Sequence, residues 1–256
     1  MRAIGIIPAR LGASRFPGKP MALIHGMPMV GHCYHRARLA PGLREIYVAT
    51  CDEEIARYVR SIGGSAVMTA TTHTRATTRT AEALEHIEVA TGEKADIVVM
   101  VQGDEPLIAP ETIAETLHHF SDPAIEIVNI MSRLRSYEQF VDKNNVKVVV
   151  NEKWDAMYYS REPIPSPWRG LDGVPMYNQT GIIAFRRDVL LRFNRMAETR
   201  LEQIESVDMN RVLETGGRIR TVLTEAVTIG VDTPQELKDA ELLMNSDLTL
   251  GRYLIR

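Results

Sequence analysis

Three cations and two glycines crowd into ten residues near the start of the chain: Arg10, Gly12, Arg15, Gly18 and Lys19. Glycines let backbone N–H groups turn toward phosphate oxygens, and the cations neutralise a triphosphate. Two carboxylates elsewhere carry the complementary chemistry. Asp104 follows Gly103 at the end of the apolar run Ile97–Gln102, and Val227-Thr228-Ile229-Gly230-Val231 reads as a strand that delivers Asp232, with Pro234 opening a helix. A carboxylate facing a triphosphate is a natural magnesium ligand, and a pair of them suits a metal-clamped phosphoryl displacement. Asp232 alone also reads as a helix cap. Glu105, directly before Pro106, reads as a structural or loop residue.

These residues need a scaffold that brings them to one edge. Strand-length apolar runs alternate with amphipathic stretches through the first half: strands at Arg2–Ile7, Glu45–Thr50, Ala66–Met68 and Ile97–Gln102, and helices at Met29–Ala37, Asp52–Ile62, Thr77–Glu88 and Pro110–Phe120. That alternation predicts a mostly parallel sheet with right-handed crossovers. Loops leaving the carboxyl ends of such strands are where this architecture binds ligands. In the second half Glu126–Met131, Val146–Asn151, Ala156–Tyr159 and Gln179–Phe185 read as strands, the middle two as an antiparallel hairpin. A loop spans 161–178, and helices return at Arg187–Asn194, Glu202–Glu214 and Pro234–Asn245. The predicted fold is one α/β domain over 1–256, a mainly parallel Rossmann-like sheet flanked by helices. A smaller antiparallel element is inserted over 126–186.

Composition narrows the field. With 256 residues, 45% hydrophobic and 25% charged, the chain has ample core for a soluble domain, and its net charge of −3 carries no nucleic-acid footprint. Attraction for an anionic substrate must be local. Cys33 and Cys51 lack metal-type spacing and fit a reducing cytosol. No run approaches the roughly 20 apolar residues of a membrane span, so the expected location is the cytoplasm. The basic loop is not a Walker motif, because five residues separate Gly12 from Gly18 and Pro20 follows Lys19. G-x-G-x-x-G and Asp-x-Asp are both absent from the sequence.

Taken together, Ile7 to Pro20, Val101-Gln102-Gly103-Asp104-Glu105-Pro106, Val146-Lys147-Val148-Val149, Tyr159-Ser160-Arg161, Leu201-Glu202-Gln203-Ile204-Glu205 and Gly230-Val231-Asp232-Thr233-Pro234 resemble the CMP-Kdo synthetase (3-deoxy-manno-octulosonate cytidylyltransferase) family nearly end to end. The resemblance implies a nucleotide-diphospho-sugar transferase-like fold and transfer of CMP from CTP to a sugar acid. The product would serve lipopolysaccharide or capsule. It implies that Pro8, Arg10, Gly12, Ser14, Arg15, Lys19, His73 and Thr77 hold the nucleotide. Lys19, Asp104 and Asp232 would be catalytic, the two aspartates binding Mg2+, and Gln102 and Arg161 would take the sugar. It further implies a homodimer built from the second-half hairpin region.

The chain departs from the family pattern at a few positions. Arg75-Ala76 stands where Ser-Gly is usual, and Thr78 stands at an acidic position. On the sugar side Gln179 replaces His, Phe185 replaces Tyr and Asp208 replaces Glu. Read as pocket residues, Gln179, Phe185 and Asp208 point to a retuned site for 8-amino-Kdo or a nonulosonic acid; read as drift, they leave Kdo as the acceptor. A sugar-1-phosphate nucleotidyltransferase and an inactive nucleotide-binding relative are the rival readings.

Overall fold

In the computed structural model, which describes residues 1–12 and 16–254, the first apolar run becomes β1 (Ala3–Pro8), buried at every position. A strand buried on both faces belongs inside a parallel sheet covered by helices. A two-rung hairpin, β2 (Leu23–Ile24) with β3 (Met27–Pro28), and α1 (Met29–Arg38) lead into β4 (Leu43–Thr50); α2 (Glu53–Ser61) then leads into β5 (Ser65–Met68). α3 (Ala76–Thr91), closed by Gly92 in the left-handed region at φ 72°, returns the chain to β6 (Ile97–Val101). The strands β6-β1-β4-β5 are parallel, with Ile4 opposite Val98 and Ile6 opposite Tyr47.

α4 (Pro110–His118) opens with Pro110, where the missing N–H costs nothing. It is followed by β7 (Ile127–Arg133), α5 (Tyr137–Val141), β8 (Lys147–Val150), β9 (Ala156–Ser160) and β10 (Tyr177–Arg186). α6 (Arg187–Arg195), α7 (Arg200–Glu205), α8 (Met209–Glu214), β11 (Arg220–Thr224) and α9 (Pro234–Met244) complete the order. Among the described residues one nine-stranded sheet runs β11-β7-β10-β6-β1-β4-β5, with β8 and β9 branching from β10. β10 is antiparallel to both β6 and β7, while β7 and β11 are parallel. The β8–β9 hairpin is antiparallel, as its sequence predicts, and it is continuous with the main sheet.

Side-chain alternation divides the core into two layers. Ile4 and Ile6 share one layer with Val98, Met100 and Phe185. Ala3 and Ile7 share the other with Val48, Val99 and Val101.

Two elements differ from the sequence expectation. Glu202–Glu214 is not one helix: Ser206 takes a left-handed φ of 54° and separates α7 from α8. No strand delivers Asp232; the strand of that region is β11, and 225–231 has no regular secondary structure.

Candidate active site

β1 and β6 are parallel neighbours, so the loops leaving them open side by side at the sheet's carboxyl edge. There they form one wall of a cleft of ≈ 1200 Å³ lined by Pro8, Arg10, Lys19, Gln102, Asp104, Glu105, Arg161, Gln179 and Asp232, among others. Residues more than two hundred positions apart meet in it.

Lys19 lies on a 3-10 turn entered through Gly18 at φ 73°. Its Nζ donates to Asp104 Oδ2 at 2.7 Å, to Asp232 Oδ1 at 2.8 Å and to the Val231 carbonyl at 3.1 Å. Burial opposes the charged ammonium, but Asp104 and then Asp232 outweigh it and raise the pKa of Lys19 above its ordinary value. Asp104 arrives from the β6 exit. Asp232 arrives on the 225–231 segment, which docks through the Val231 amide to the Asp104 carbonyl at 2.9 Å. The helix cap is Thr233: its hydroxyl accepts from the Glu236 amide at 3.2 Å, while Glu236 Oε2 accepts from the Asp232 amide at 2.8 Å. Thr233 thus caps α9 and leaves the Asp232 carboxylate for Lys19. Two carboxylates converging on one cationic nitrogen are a hard-oxygen donor set that fits magnesium, an ion that binds through one or two carboxylates plus substrate phosphates. No cluster of three or more His, Cys, Asp or Glu fit to hold a metal occurs among the described residues, so phosphates and water would complete the coordination.

On one side of the cleft, exposed Arg10 donates from Nη1 to the His73 carbonyl at 3.0 Å. The His73 ring is held by the Thr78 hydroxyl at 3.0 Å and by Glu82. Burial works to raise the Glu82 pKa, yet the bonds to His73 and the Ala70 amide hold it below the usual range. Thr77 is buried and donates to Asp208 Oδ2 at 2.5 Å, tying the start of α3 to the α7–α8 junction. Burial raises the Asp208 pKa, with the Thr77 bond opposing it.

On the opposite side Arg161 is clamped from two directions. Its Nε donates to the Glu205 carbonyl at 2.9 Å and its Nη1 to the Lys143 carbonyl at 2.8 Å. Glu205 accepts from Tyr158 at 3.0 Å, Ser160 at 2.8 Å and the Arg161 amide at 2.9 Å, which together hold its pKa low against the desolvation of burial. Between the two sides, Glu105 is buried and accepts from the Gly181 amide. A Cβ on Gly181 would meet Gln102 Cβ at 2.7 Å and Glu105 Oε1 at 2.8 Å, so glycine is required where β10 crosses the β6 exit. Burial, aided by Asp104, pushes the Glu105 carboxyl up to about 7.

The family profile for cytidylyltransferase matches residues 4–220. A 3-deoxy-manno-octulosonate cytidylyltransferase of Geobacter metallireducens is 44% identical over 248 residues, 93% of this chain and 95% of that protein. The chain belongs to the 3-deoxy-manno-octulosonate cytidylyltransferases. The enzyme of that name from Escherichia coli is 39% identical over 248 residues, 96% of this chain and 98% of its own. A solved structure of CMP:2-keto-3-deoxy-manno-octonic acid synthetase complexed with CTP matches with a TM-score of 0.86 and 39% identity, covering 97% of this chain and 100% of that one.

Most of the residues that the cytidylyltransferase resemblance nominates line this one cleft: Pro8, Arg10, Lys19, His73, Thr77, Gln102, Asp104, Arg161, Gln179, Asp208 and Asp232. Gly12 is exposed and outside the cleft lining, and Ser14 and Arg15 lie outside the described residues. Phe185 requires correction. It is fully buried in the core, opposite Val98 and Ile127 in the sheet, and does not reach the cleft. The part that Glu205 plays at Arg161 escaped the sequence reading, although Glu205 lies in a segment that carries the cytidylyltransferase resemblance. Glu105, read there as structural, is a buried carboxyl bound to Gly181.

Proposed function

We propose that the chain transfers CMP from CTP to the anomeric hydroxyl of 3-deoxy-manno-octulosonate, releasing pyrophosphate, a reading supported by relatives named 3-deoxy-manno-octulosonate cytidylyltransferase. The observation that carries this reading is the meeting of Lys19, Asp104 and Asp232 in the same cleft as Arg161. The basic loop and Lys19 hold the triphosphate, and Lys19 stabilises charge on the transferring phosphate. Arg161, its Nε and Nη1 already occupied by carbonyls, keeps a planar fork suited to the sugar's carboxylate. The hydroxyl oxygen attacks the α-phosphorus and the bond to the bridging oxygen breaks. Pyrophosphate leaves with the bonding electrons, and the hydroxyl proton passes to water. When bound to Asp104 and Asp232, magnesium supplies Lewis-acid neutralisation of the triphosphate.

Pyrophosphate release with CTP and magnesium, measured in parallel with Kdo, 8-amino-Kdo and a nonulosonic acid, tests the reading. Preferred turnover of Kdo is expected; silence with all three would sink it. Gln179 and Asp208 both line the cleft, which supports the second reading, a retuned acceptor, and preference for 8-amino-Kdo would establish that instead. The proposed setting is the cytoplasm, where CTP is available. Among the described residues no helix is long and apolar enough to cross a membrane. We also propose a homodimer through the 126–186 region. In support, Trp154 and Met157 in the β8–β9 hairpin and Trp168 in the loop that follows are large apolar side chains left exposed.

A further inference from the structure

Lys147 is fully buried, makes no ion pair among the described residues and does not line the cleft. Its ammonium nonetheless spends all three donors on main-chain carbonyls: Asp142 at 2.8 Å, Asn145 at 2.7 Å and Arg161 at 2.5 Å. Those carbonyls come from two separate segments, the 142–145 loop after α5 and the exit of β9. Both segments line the cleft, through Asp142, Asn144, Asn145 and Arg161. The Arg161 guanidinium in turn donates to the carbonyl of Lys143, inside the loop that Lys147 gathers. The arrangement is therefore closed: Lys147 fixes the loop and the Arg161 backbone together, and the loop fixes the Arg161 side chain. No hydrogen bond among the described residues uses Arg161 Nη2.

A buried ammonium surrounded by neutral dipoles is expensive, and an apolar side chain of the same length would avoid that cost. What the charge provides is a single geometry for three carbonyls that repel one another when unmatched. We infer that Lys147 is a positioning residue for sugar-acid binding, setting the main-chain frame that aims Arg161 into the cleft. This rests on the reading that Arg161 receives the acceptor's carboxylate.

The test is a double-mutant cycle on the whole enzyme with CTP and 3-deoxy-manno-octulosonate, using K147M, R161K and the pair. K147M is expected to raise the sugar-acid KM by about tenfold or more while the CTP KM stays within about twofold. In the R161K background the same substitution is expected to add less than about threefold, because the group it aims has already been altered. Equal movement of both KM values, or full multiplication of the two effects, would overturn the inference. An R161K enzyme with unchanged sugar-acid KM would overturn the Arg161 reading as well, which separates the two failures. Should K147M not fold, K147Q, whose amide keeps two donors, carries the same cycle.

Discussion

Phe185 packs in the same core layer as Val98, Ile127, Val189 and Leu190, with its ring fully buried. Phe185→Tyr would bury a hydroxyl with no partner, so it is expected to destabilise the fold by about 1–3 kcal/mol and leave both KM values within about twofold. Urea unfolding and steady-state kinetics check this; a raised sugar-acid KM without loss of stability would return position 185 to the pocket. The contrast with Lys19, Asp104 and Asp232 explains what the sequence makes legible. Lys19 sits on a turn, Asp104 just beyond a strand exit and Asp232 directly before a helix cap, and all three line the cleft. Phe185 lies inside a strand covered on both faces, and alternation alone does not say which cover is protein and which is substrate. Asp232 was ambiguous for another reason. Only the structure shows that Thr233 caps the helix.

Between elements, α3 and α6 are joined by a bidentate pair: Arg187 Nε and Nη2 donate to Glu88 Oε1 at 2.7 Å and Oε2 at 2.6 Å. Burial tends to raise the Glu88 pKa, but the Arg187 bonds win and hold it below the ordinary value of 4.5. A carboxylate with a depressed folded pKa stabilises above its unfolded pKa and loses that contribution as pH falls through the folded one. Stability is therefore expected to fall below about pH 4.5, and Glu88→Gln should lower it at pH 7 and flatten the decline. Chemical denaturation at pH 7 and pH 3.5 reads this; an unchanged slope would reject it. Most elements could be placed from hydrophobic period, because β1, β6 and the flanking helices have unmixed patterns. The α7–α8 break could not, since Ser206 is an ordinary residue in a left-handed conformation. That break places Glu205 beside Arg161 and Asp208 beside Thr77, so the missed boundary hid part of the cleft wall. β11 was missed because Arg220-Thr221-Val222-Leu223-Thr224 mixes polar and apolar residues at an edge.

For the whole molecule, the homodimer proposal makes a direct claim on the exposed side chains of the β8–β9 hairpin, Trp154 and Met157. Sedimentation is expected to give twice the chain mass, and Met157→Asp, placed on an exposed side chain, is expected to shift the population toward monomer. A monomeric parent protein would reject it. The parallel order and the cleft at its edge were legible in the first half because each strand is followed by its own helix. The place of β10 between β6 and β7 was not, since antiparallel insertion depends on pairings far apart in sequence.

That late insertion has a consequence for how the chain is made. β6 is synthesised with β1 beside it, but its other edge awaits β10, and the contact between Glu105 and Gly181 spans 76 positions. At roughly 5–20 residues per second on the ribosome, the nascent chain exposes an all-apolar edge for seconds before its partner emerges. Such an edge is a template for pairing with other chains, so the interval between β6 and β10 is a window in which mispairing competes with folding.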